Sequence, residues 1–230
     1  MSISLPGFDT WLTERLEECA GDSGEAVDTY VARAVASQMV TDCERVDRAS
    51  AGRLKAHLSL TGLSGEATAD GLSPVLADPT RLRALNATGL TDTPPDAAYA
   101  RLTRTTADAL SVPAAALVLV AADRQFVLGA AGSTPSVDRT SLAESFEKYV
   151  VANGSPVSVD DARRHQLFKR YSAVAHGHVI AYLGMPLADD AGNTVGALSV
   201  SDTAARRWTS GHLQILGDLA AVAAARMFGS

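Results

Sequence analysis

Three histidines within one short stretch, RRHQLFKRYSAVAHGHVIAY, are the residues most able to do chemistry in this sequence. His165, His176 and His178 could ligate a metal or haem iron, or hold a polar ligand at the mouth of a pocket. The alternative is three solvated loop histidines. His176 and His178 have a strand-like spacing that presents both rings on one side, but no nearby carboxylate or thiol completes a set of metal ligands. We therefore predict no metal site here.

The same stretch mixes basic and aromatic side chains, a combination that favours contact with an anionic or nucleotide-like ligand. A solvated helix face is the alternative interpretation. Asp160 and Asp161 precede the stretch and are expected to cap a helix that begins near Arg163. The basic residues are Arg163, Arg164, Lys169 and Arg170, and the aromatic ones are Phe168 and Tyr171.

Short motifs that directly indicate catalysis are absent from the chain. It contains no GxSxG, GxxxxGK[ST] or HExxH pattern, and no GxGxxG after a strand. His176 or His178 acting as an acid or base in a pocket is the enzymatic alternative, but no nucleophile or partner carboxylate accompanies them. The sequence therefore favours a protein that is not an enzyme.

Charge is distributed unevenly along the 230 residues, which carry a formal net charge of −6. Residues 1–48 hold four basic and ten acidic side chains, whereas the remaining residues hold 16 of each. The N-terminal segment should therefore repel phosphate. Cys19 and Cys43 form no CxxC pattern and are interpreted as plain thiols. Apolar runs are too short to cross a bilayer, so we expect a soluble, cytoplasmic protein without membrane contact.

Composition divides the chain into three regions. Residues 1–60 show helical periodicity after a short alternating strand, SISLP, and residues 61–77 are rich in Gly, Ser, Thr and Ala, as a linker would be. From Asp78 onward the predicted order is α, α, β, β, α, β, a looser helical or loop stretch, β, β, α. The third of these helices is expected to start at a Thr140 or Ser141 cap, with Glu144 closing a capping box. This order favours an α+β fold, an antiparallel sheet with helices packed on it.

The closing hairpin, AYLGMPLADDAGNTVGALSVSD, contains three informative glycines. Gly192 with Asn193 predicts a turn that permits positive φ. Gly184 and Gly196 lie inside strand patterns, where glycine marks a bulge or a close approach by another group. That group is either a ligand or a packed helix.

From Asp78 to about residue 228 the sequence resembles a GAF domain, the small-molecule sensor module of many bacterial signalling proteins. The resemblance is carried by the entering helices and first hairpin, by SLAESFEKYVVANGSPVSVDDARRHQLF, and by the closing hairpin and last helix. It implies ligand binding between the sheet and the loop around residues 163–182. Residues 78–230 contain no cysteine, which excludes the cysteine-dependent bilin attachment and sulfoxide reduction of some family members. The cyclic-nucleotide signature is not legible, so the ligand and any cofactor stay unassigned.

The first 60 residues resemble a ribbon-helix-helix module, with SISLP in the place of the strand and FDTWLTERLEECAG and VDTYVARAVAS in the places of the two helices. In that family the strands of two subunits pair and contact the major groove of DNA. The outward positions here would be Ser2 and Ser4, and the start of the second helix carries Glu25 and Asp28. We therefore expect a dimerisation segment, with DNA binding as the alternative disfavoured by charge.

Together these features predict a non-enzymatic sensory or regulatory protein that forms a homodimer and responds to a small molecule or protein partner. The alternative is a ribbon-helix-helix transcription regulator that binds DNA under control of the GAF-like domain. The aromatic candidates either line a cavity or fill it with their own rings. The residues expected to contact the ligand are Phe126, Phe146, Arg164, Phe168, Tyr171, His176, His178 and Tyr182.

Overall fold

Five strands of the chain pair into one antiparallel sheet in the order β2-β1-β5-β4-β3. The computed structural model describes residues 7–61, 63, 72–92, 96–132 and 141–229. The predicted α+β architecture is therefore confirmed. The strands are β1 (Ala114–Val120), β2 (Gln125–Ala131), β3 (Val157–Val159), β4 (Ala181–Ala188) and β5 (Thr194–Asp202).

Helices lie before, between and after the strands in sequence and cover both faces of the sheet. The last helix carries a capping box between Thr209 and His212. The helices are α1 (Thr10–Asp22), α2 (Val27–Val46), α3 (Arg48–Thr61), α4 (Ser73–Leu76), α5 (Pro79–Ala87), α6 (Ala97–Leu110), α7 (Glu147–Asn153), α8 (Ser172–Ala175) and α9 (Ser210–Phe228). Among the described residues, none of these helices is both long and apolar enough to span a membrane.

Alternation along β5 separates two hydrophobic clusters on opposite faces of the sheet. Leu198 and Val200 face α5, α6 and α9, whereas Ala197 faces α7 and the segment that follows β3. That segment consists of two short 3-10 turns, at 162–164 and 168–170, followed by α8. Because side chains alternate between the two faces of a strand, Ser199 and Ser201 lie on the same face as Ala197.

The third helix of the predicted order starts later than its sequence indicates. The predicted cap at Ser141 with Glu144 is wrong, because α7 begins at Glu147 and has no side-chain N-cap. Ser141 instead bridges the backbone of Arg124, and the Glu144 carboxylate accepts hydrogen bonds from Ser172. The other proposed cap, Thr140, lies outside the described residues. The helix ends at Asn153, and Gly154 after it adopts φ 64°.

The glycines of the closing hairpin have separate structural causes. Gly192 occupies the turn with φ 82°, as predicted. A Cβ on Gly184 would lie 2.6 Å from Cγ2 of Val150 on α7 and 2.5 Å from the Tyr182 hydroxyl oxygen. A Cβ on Gly196 would overlap the backbone carbonyl of Val118 on β1. The close approach predicted at these two positions therefore comes from a packed helix and from neighbouring protein atoms.

The N-terminal region contains three helices, and its last residues reach the sheet. Residues 2–6, which include Ser2, Ser4 and the predicted strand, lie outside the described residues. Ala56 of α3 and Leu76 of α4 are buried in the same hydrophobic cluster as α7. Arg81 joins this region to the sheet because its buried guanidinium donates to the Val120 carbonyl at 2.6 Å and to that of Leu76. The division into 1–60, a 61–77 linker and 78–230 stays a prediction.

Candidate ligand cavity over the sheet

A cavity of about 150 Å³, partly open to solvent, lies between the sheet and the segment that leads into α7. Its floor comes from β1, β2, β4 and β5, and its wall comes from residues 141–147 and from α8 with Val179. The lining residues are Ala114, Ala115, Ala116, Val118, Gln125, Val127, Ala130, Ser141, Glu144, Ser145, Phe146, Glu147, Ala173, Val179, Tyr182, Ser199 and Ser201.

Small side chains on two neighbouring strands create this space. In the β1–β5 register Ala116 pairs with Ser199, and Ala114 pairs with Ser201. Directly opposed residues of an antiparallel pair point to the same face, so four short side chains stand together on the floor. A larger residue at any of them would extend into the cavity.

Polar groups gather at one end of the floor. Ser199 donates to Oε1 of Glu147 at 2.9 Å, and Ser145 donates to Oε2 of the same carboxylate at 3.2 Å. The Tyr182 hydroxyl lies over Gly184, which pairs with Ser199 in the sheet. Tyr182 is 2% exposed; in the described structure its hydroxyl is close to Ser199 and the Glu147 carboxylate but makes no hydrogen bond of acceptable geometry. Burial, with the nearby Glu147 carboxylate, raises the pKa of Tyr182 well above its ordinary value, which keeps the hydroxyl protonated.

The rim of the cavity is held by a second carboxylate and a buried lysine. Oε2 of Glu144 accepts from the Ser172 amide at 2.8 Å and also from the Ser172 hydroxyl. Lys148 donates to the carbonyls of Leu142 and Ala143 at 2.8 and 2.9 Å, which fixes the turn before α7. Burial lowers the pKa of Lys148 to about 8, although Glu144 opposes this shift. Its ammonium group binds backbone and is not part of the cavity lining.

An aromatic cluster closes the far side of the cavity. The Phe146 ring stacks on Tyr182 at a centroid distance of 4.8 Å and lies 4.4 Å from Phe168. Phe168 is fully buried, and Tyr171 meets Phe146 edge-on at 5.3 Å. Among these predicted site residues Phe146 and Tyr182 line the cavity, whereas Phe168 and Tyr171 pack behind them.

The other predicted site residues lie elsewhere. Arg164, His176 and His178 are exposed, with the two imidazole rings 6.2 Å apart and Nδ1 of His176 2.8 Å from the Ser172 carbonyl. Phe126 packs with the cluster on the opposite face of the sheet. A ligand contact at any of them stays a prediction. Within the described residues, His, Cys, Asp and Glu form no group of three that could hold a metal.

His165 connects the aromatic cluster to the N-terminal helices. Its ring stacks on Phe168 at 4.4 Å, and its Nε2 lies 2.9 Å from the Leu60 carbonyl at the end of α3. Nδ1 accepts from the amides of Leu167 and Phe168, so we assign the ring proton to Nε2, which donates to Leu60. Burial lowers the pKa of His165 below its ordinary 6.5, outweighing the opposite effect of the Leu60 hydrogen bond. The neutral imidazole of His165 is therefore the protonation state consistent with these hydrogen bonds.

Comparison with known families fixes the identity of this fold. The family model of the GAF domain matches residues 94–227, more than half of the chain. The chain belongs to the GAF domain family. GAF domains are generally small-molecule sensing domains of signalling proteins. No curated protein sequence matches the chain.

Solved structures similar to this GAF protein come from several bacteria and an archaeon. Type II free methionine-R-sulfoxide reductase from Thermoplasma acidophilum is 10% identical, with a TM-score of 0.50 over 58% of this chain and 91% of that one. The GAF domain of Acinetobacter phosphoenolpyruvate-protein phosphotransferase is 18% identical, with a TM-score of 0.48 over 64% and 90%. Free methionine-R-sulfoxide reductase from Neisseria meningitidis is 17% identical, with a TM-score of 0.49 over 71% and 93%. Identities this low show the fold alone.

Sequence reasoning missed the polar lining of the GAF cavity, above all Glu144, Glu147 and Ser199. A signal was present in β5, where Ser199 and Ser201 occupy alternate positions of an otherwise apolar strand, TVGALSVSD. Two such serines on a face that helices cover indicate polar atoms inside the protein, where they need partners. The glutamates gave no comparable signal, because Glu144 suited the capping of a helix and Glu147 lay within the predicted helix.

Acidification should lower the free energy of unfolding of this GAF protein, because His165 is more readily protonated in the unfolded chain. Its pKa is lower in the folded chain than in the unfolded one, so the stabilisation is fully present above pH 6.5 and is lost as the pH falls through the folded pKa. Urea unfolding between pH 7.5 and 5 is expected to show this loss, and a His165→Gln variant should show a smaller pH dependence over that range. His57→Gln, at an exposed position of α3, is the matched control and should keep the wild-type profile. Equal pH dependence in all three proteins would contradict the assignment.

Proposed function

We propose that this GAF protein is a non-enzymatic sensory and regulatory protein whose cavity binds a small molecule. The observation that carries the proposal is the cavity of about 150 Å³ with the buried, unpartnered hydroxyl of Tyr182 at its end. A buried polar group without a partner is costly, and a bound molecule would supply that partner.

A non-catalytic role is supported by what lines the cavity. The lining residues that the structure describes include no cysteine or histidine, the side chains that most often act as nucleophile or proton carrier. Each oxygen of Glu147 already accepts from a serine, and Oε2 of Glu144 accepts from Ser172. Such groups are suited to hold a ligand in place.

The proposed output runs from the cavity to the N-terminal helices through packed rings. Phe146 lines the cavity and contacts Phe168, Phe168 stacks on His165, and His165 hydrogen-bonds the end of α3. A ligand that displaces Phe146 would therefore alter the contacts that hold the end of α3 through Phe168 and His165. The ligand would shift the population of two arrangements of the N-terminal helices, which requires different affinities for the two.

Self-association through the N-terminal helices is the second part of the proposal. Trp11 is 65% exposed, Val35 53% and Met39 49%, and large apolar side chains this exposed on neighbouring helices favour association. The net charge of −6 in residues 1–48 disfavours DNA as the partner of this surface. We therefore assign the exposed apolar residues of α1 and α2 to a homodimer.

Native mass spectrometry of the chain purified from its own host tests both parts. We expect two chains per particle and a retained small molecule. Ala116→Phe fills the cavity floor and should abolish the added mass, whereas Trp11→Ser should favour the single chain and keep it. Ala98→Phe, at a half-buried position on α6 away from the cavity, controls for a general effect of the added ring. No retained mass in the wild-type protein would overturn ligand sensing, and a stoichiometry of one would overturn the dimer.

A further inference from the structure

We propose that the cavity selects a small organic cation, a primary amine or amidine on a compact apolar body. This inference rests on the proposed ligand-binding function and specifies its chemistry. It follows from three independent properties of the cavity, namely the charge of its lining, its unpartnered polar atoms and its size.

The charge of the lining is negative. Glu144 and Glu147 both line the cavity, and no Lys, Arg or His occurs among the described lining residues. Lys148 is the nearby cation, but its donors are directed to the Leu142 and Ala143 carbonyls. The three charged groups together carry a net charge of −1. An anionic ligand would meet two carboxylates in a site of low dielectric, and a cation would be attracted to them.

The polar atoms of the lining are mainly hydrogen-bond acceptors, and several of their lone-pair sites are unused. A carboxylate has about four lone-pair sites, and Glu147 uses two of them on Ser145 and Ser199. Oε1 of Gln125 is buried and accepts no hydrogen bond in the described structure. The Tyr182 hydroxyl is also unpartnered and has Glu147 as a polar neighbour. A ligand bearing several N–H donors would satisfy these groups, whereas a ligand bearing only acceptors would leave most of them unpaired.

The size and the apolar walls of the cavity indicate the volume and the apolar character of the rest of the ligand. About 150 Å³ matches an engineered protein cavity that holds benzene. The surroundings of the polar end are apolar, with the paired Val118 and Val127 on the floor and Phe146 and Val179 in the wall. A single ring or a short branched chain fills this volume. Benzylamine has the required ring and one ammonium group, so it is a suitable probe.

Calorimetric titration of the full chain with three probes of one shape tests the ligand class. Benzylamine, benzyl alcohol and benzoate share the ring and differ in charge. We expect benzylamine to bind about tenfold or more tightly than benzyl alcohol, because hydrogen bonds between charged groups are stronger than those between neutral ones, and we expect benzoate not to bind. Glu147→Gln keeps the side-chain shape and should reduce benzylamine affinity about tenfold, a larger loss than that for benzyl alcohol. Glu144→Gln should act in the same direction.

Controls separate the failure of this inference from the failure of ligand sensing. Glu17→Gln removes an exposed carboxylate from α1 and should leave all three affinities unchanged. Binding of benzoate or benzyl alcohol at least as tight as that of benzylamine, or no binding by any probe at millimolar concentration, would overturn the cation proposal. A retained host molecule carrying a carboxylate or phosphate would also overturn it, yet would support the cavity as a sensor. Absence of any retained molecule is the separate result that overturns sensing itself.

Discussion

Replacing Phe168 with alanine is expected to lower the free energy of unfolding by about 3–5 kcal/mol, the usual range for truncating a buried phenylalanine. The ring is fully buried and meets those of Phe146 and His165 at 4.4 Å, and those of Tyr149 and Tyr171 at 5.4 Å. Its removal leaves a cavity among side chains that belong to three different segments, which limits how far they can close the gap. Urea unfolding monitored by circular dichroism gives the difference directly.

Two further variants make this result specific to the ring. Lys169→Ala changes the next residue, which is exposed, and should alter stability by less than about 0.5 kcal/mol. Phe168→Leu keeps part of the apolar volume and should fall between alanine and the wild type. A loss below about 1 kcal/mol for Phe168→Ala would show that the cluster does not contribute as the packing indicates. In that case the proposed connection from the cavity to α3 would lose its support.

Introducing a methyl group at Gly196 is expected to cost about 3 kcal/mol, near the upper end of the usual range for overpacking. The new Cβ in Gly196→Ala would overlap the Val118 carbonyl oxygen and approach Cα of Leu119 at 3.1 Å. Both atoms are backbone of β1, which is held by hydrogen bonds to β2 and β5. The strand pair can therefore relieve the overlap only by separating. Thermal or urea unfolding of the variant measures this cost.

Gly211→Ala is the matched control because it adds the same methyl group to a helix. The new Cβ would meet only the Thr209 hydroxyl at an ordinary 3.6 Å. Alanine has the higher helix propensity, so this variant should be as stable as the wild type or more stable by up to about 1 kcal/mol. Similar stabilities for Gly196→Ala and the wild type would mean that β1 and β5 are less closely paired at this position than the register indicates.

Local patterns were sufficient for the order of elements from Asp78 onward. The hairpins β1–β2 and β4–β5 each join apolar runs through a short polar turn, so their pairing depends on neighbours in sequence. The start of α7 was not predictable in this way. Ser141 and Glu144 have the spacing of a capping box, but the Ser141 backbone pairs with that of Arg124 and the Glu144 carboxylate accepts from Ser172, both distant in sequence. Long-range contacts override a local preference worth about 1 kcal/mol.

The candidate site was likewise predictable from the sequence only in part. The aromatic residues Phe146, Phe168, Tyr171 and Tyr182 were identifiable because large rings need a common apolar environment. The sequence left open whether they line a cavity or fill it, and in the structure Phe146 and Tyr182 line it while the other two pack behind. His165 gained its connection to Leu60 from α3, a helix separated from it by about a hundred residues, so no spacing rule could indicate it.

By itself, the sequence determined which strands form, which face of each is apolar, and the acidic character of the N-terminal segment, because periodicity, turn residues and charge are local properties. The tertiary structure alone decided that Ala116 and Ser199 stand side by side under a cavity and that Glu147 and Tyr182 meet there. These neighbours come from β1, β4, β5 and α7, and only the register of the sheet and the packing of the helix on it bring them together. Cavity shape depends on such non-local packing, since each wall is set by residues distant in sequence from the others.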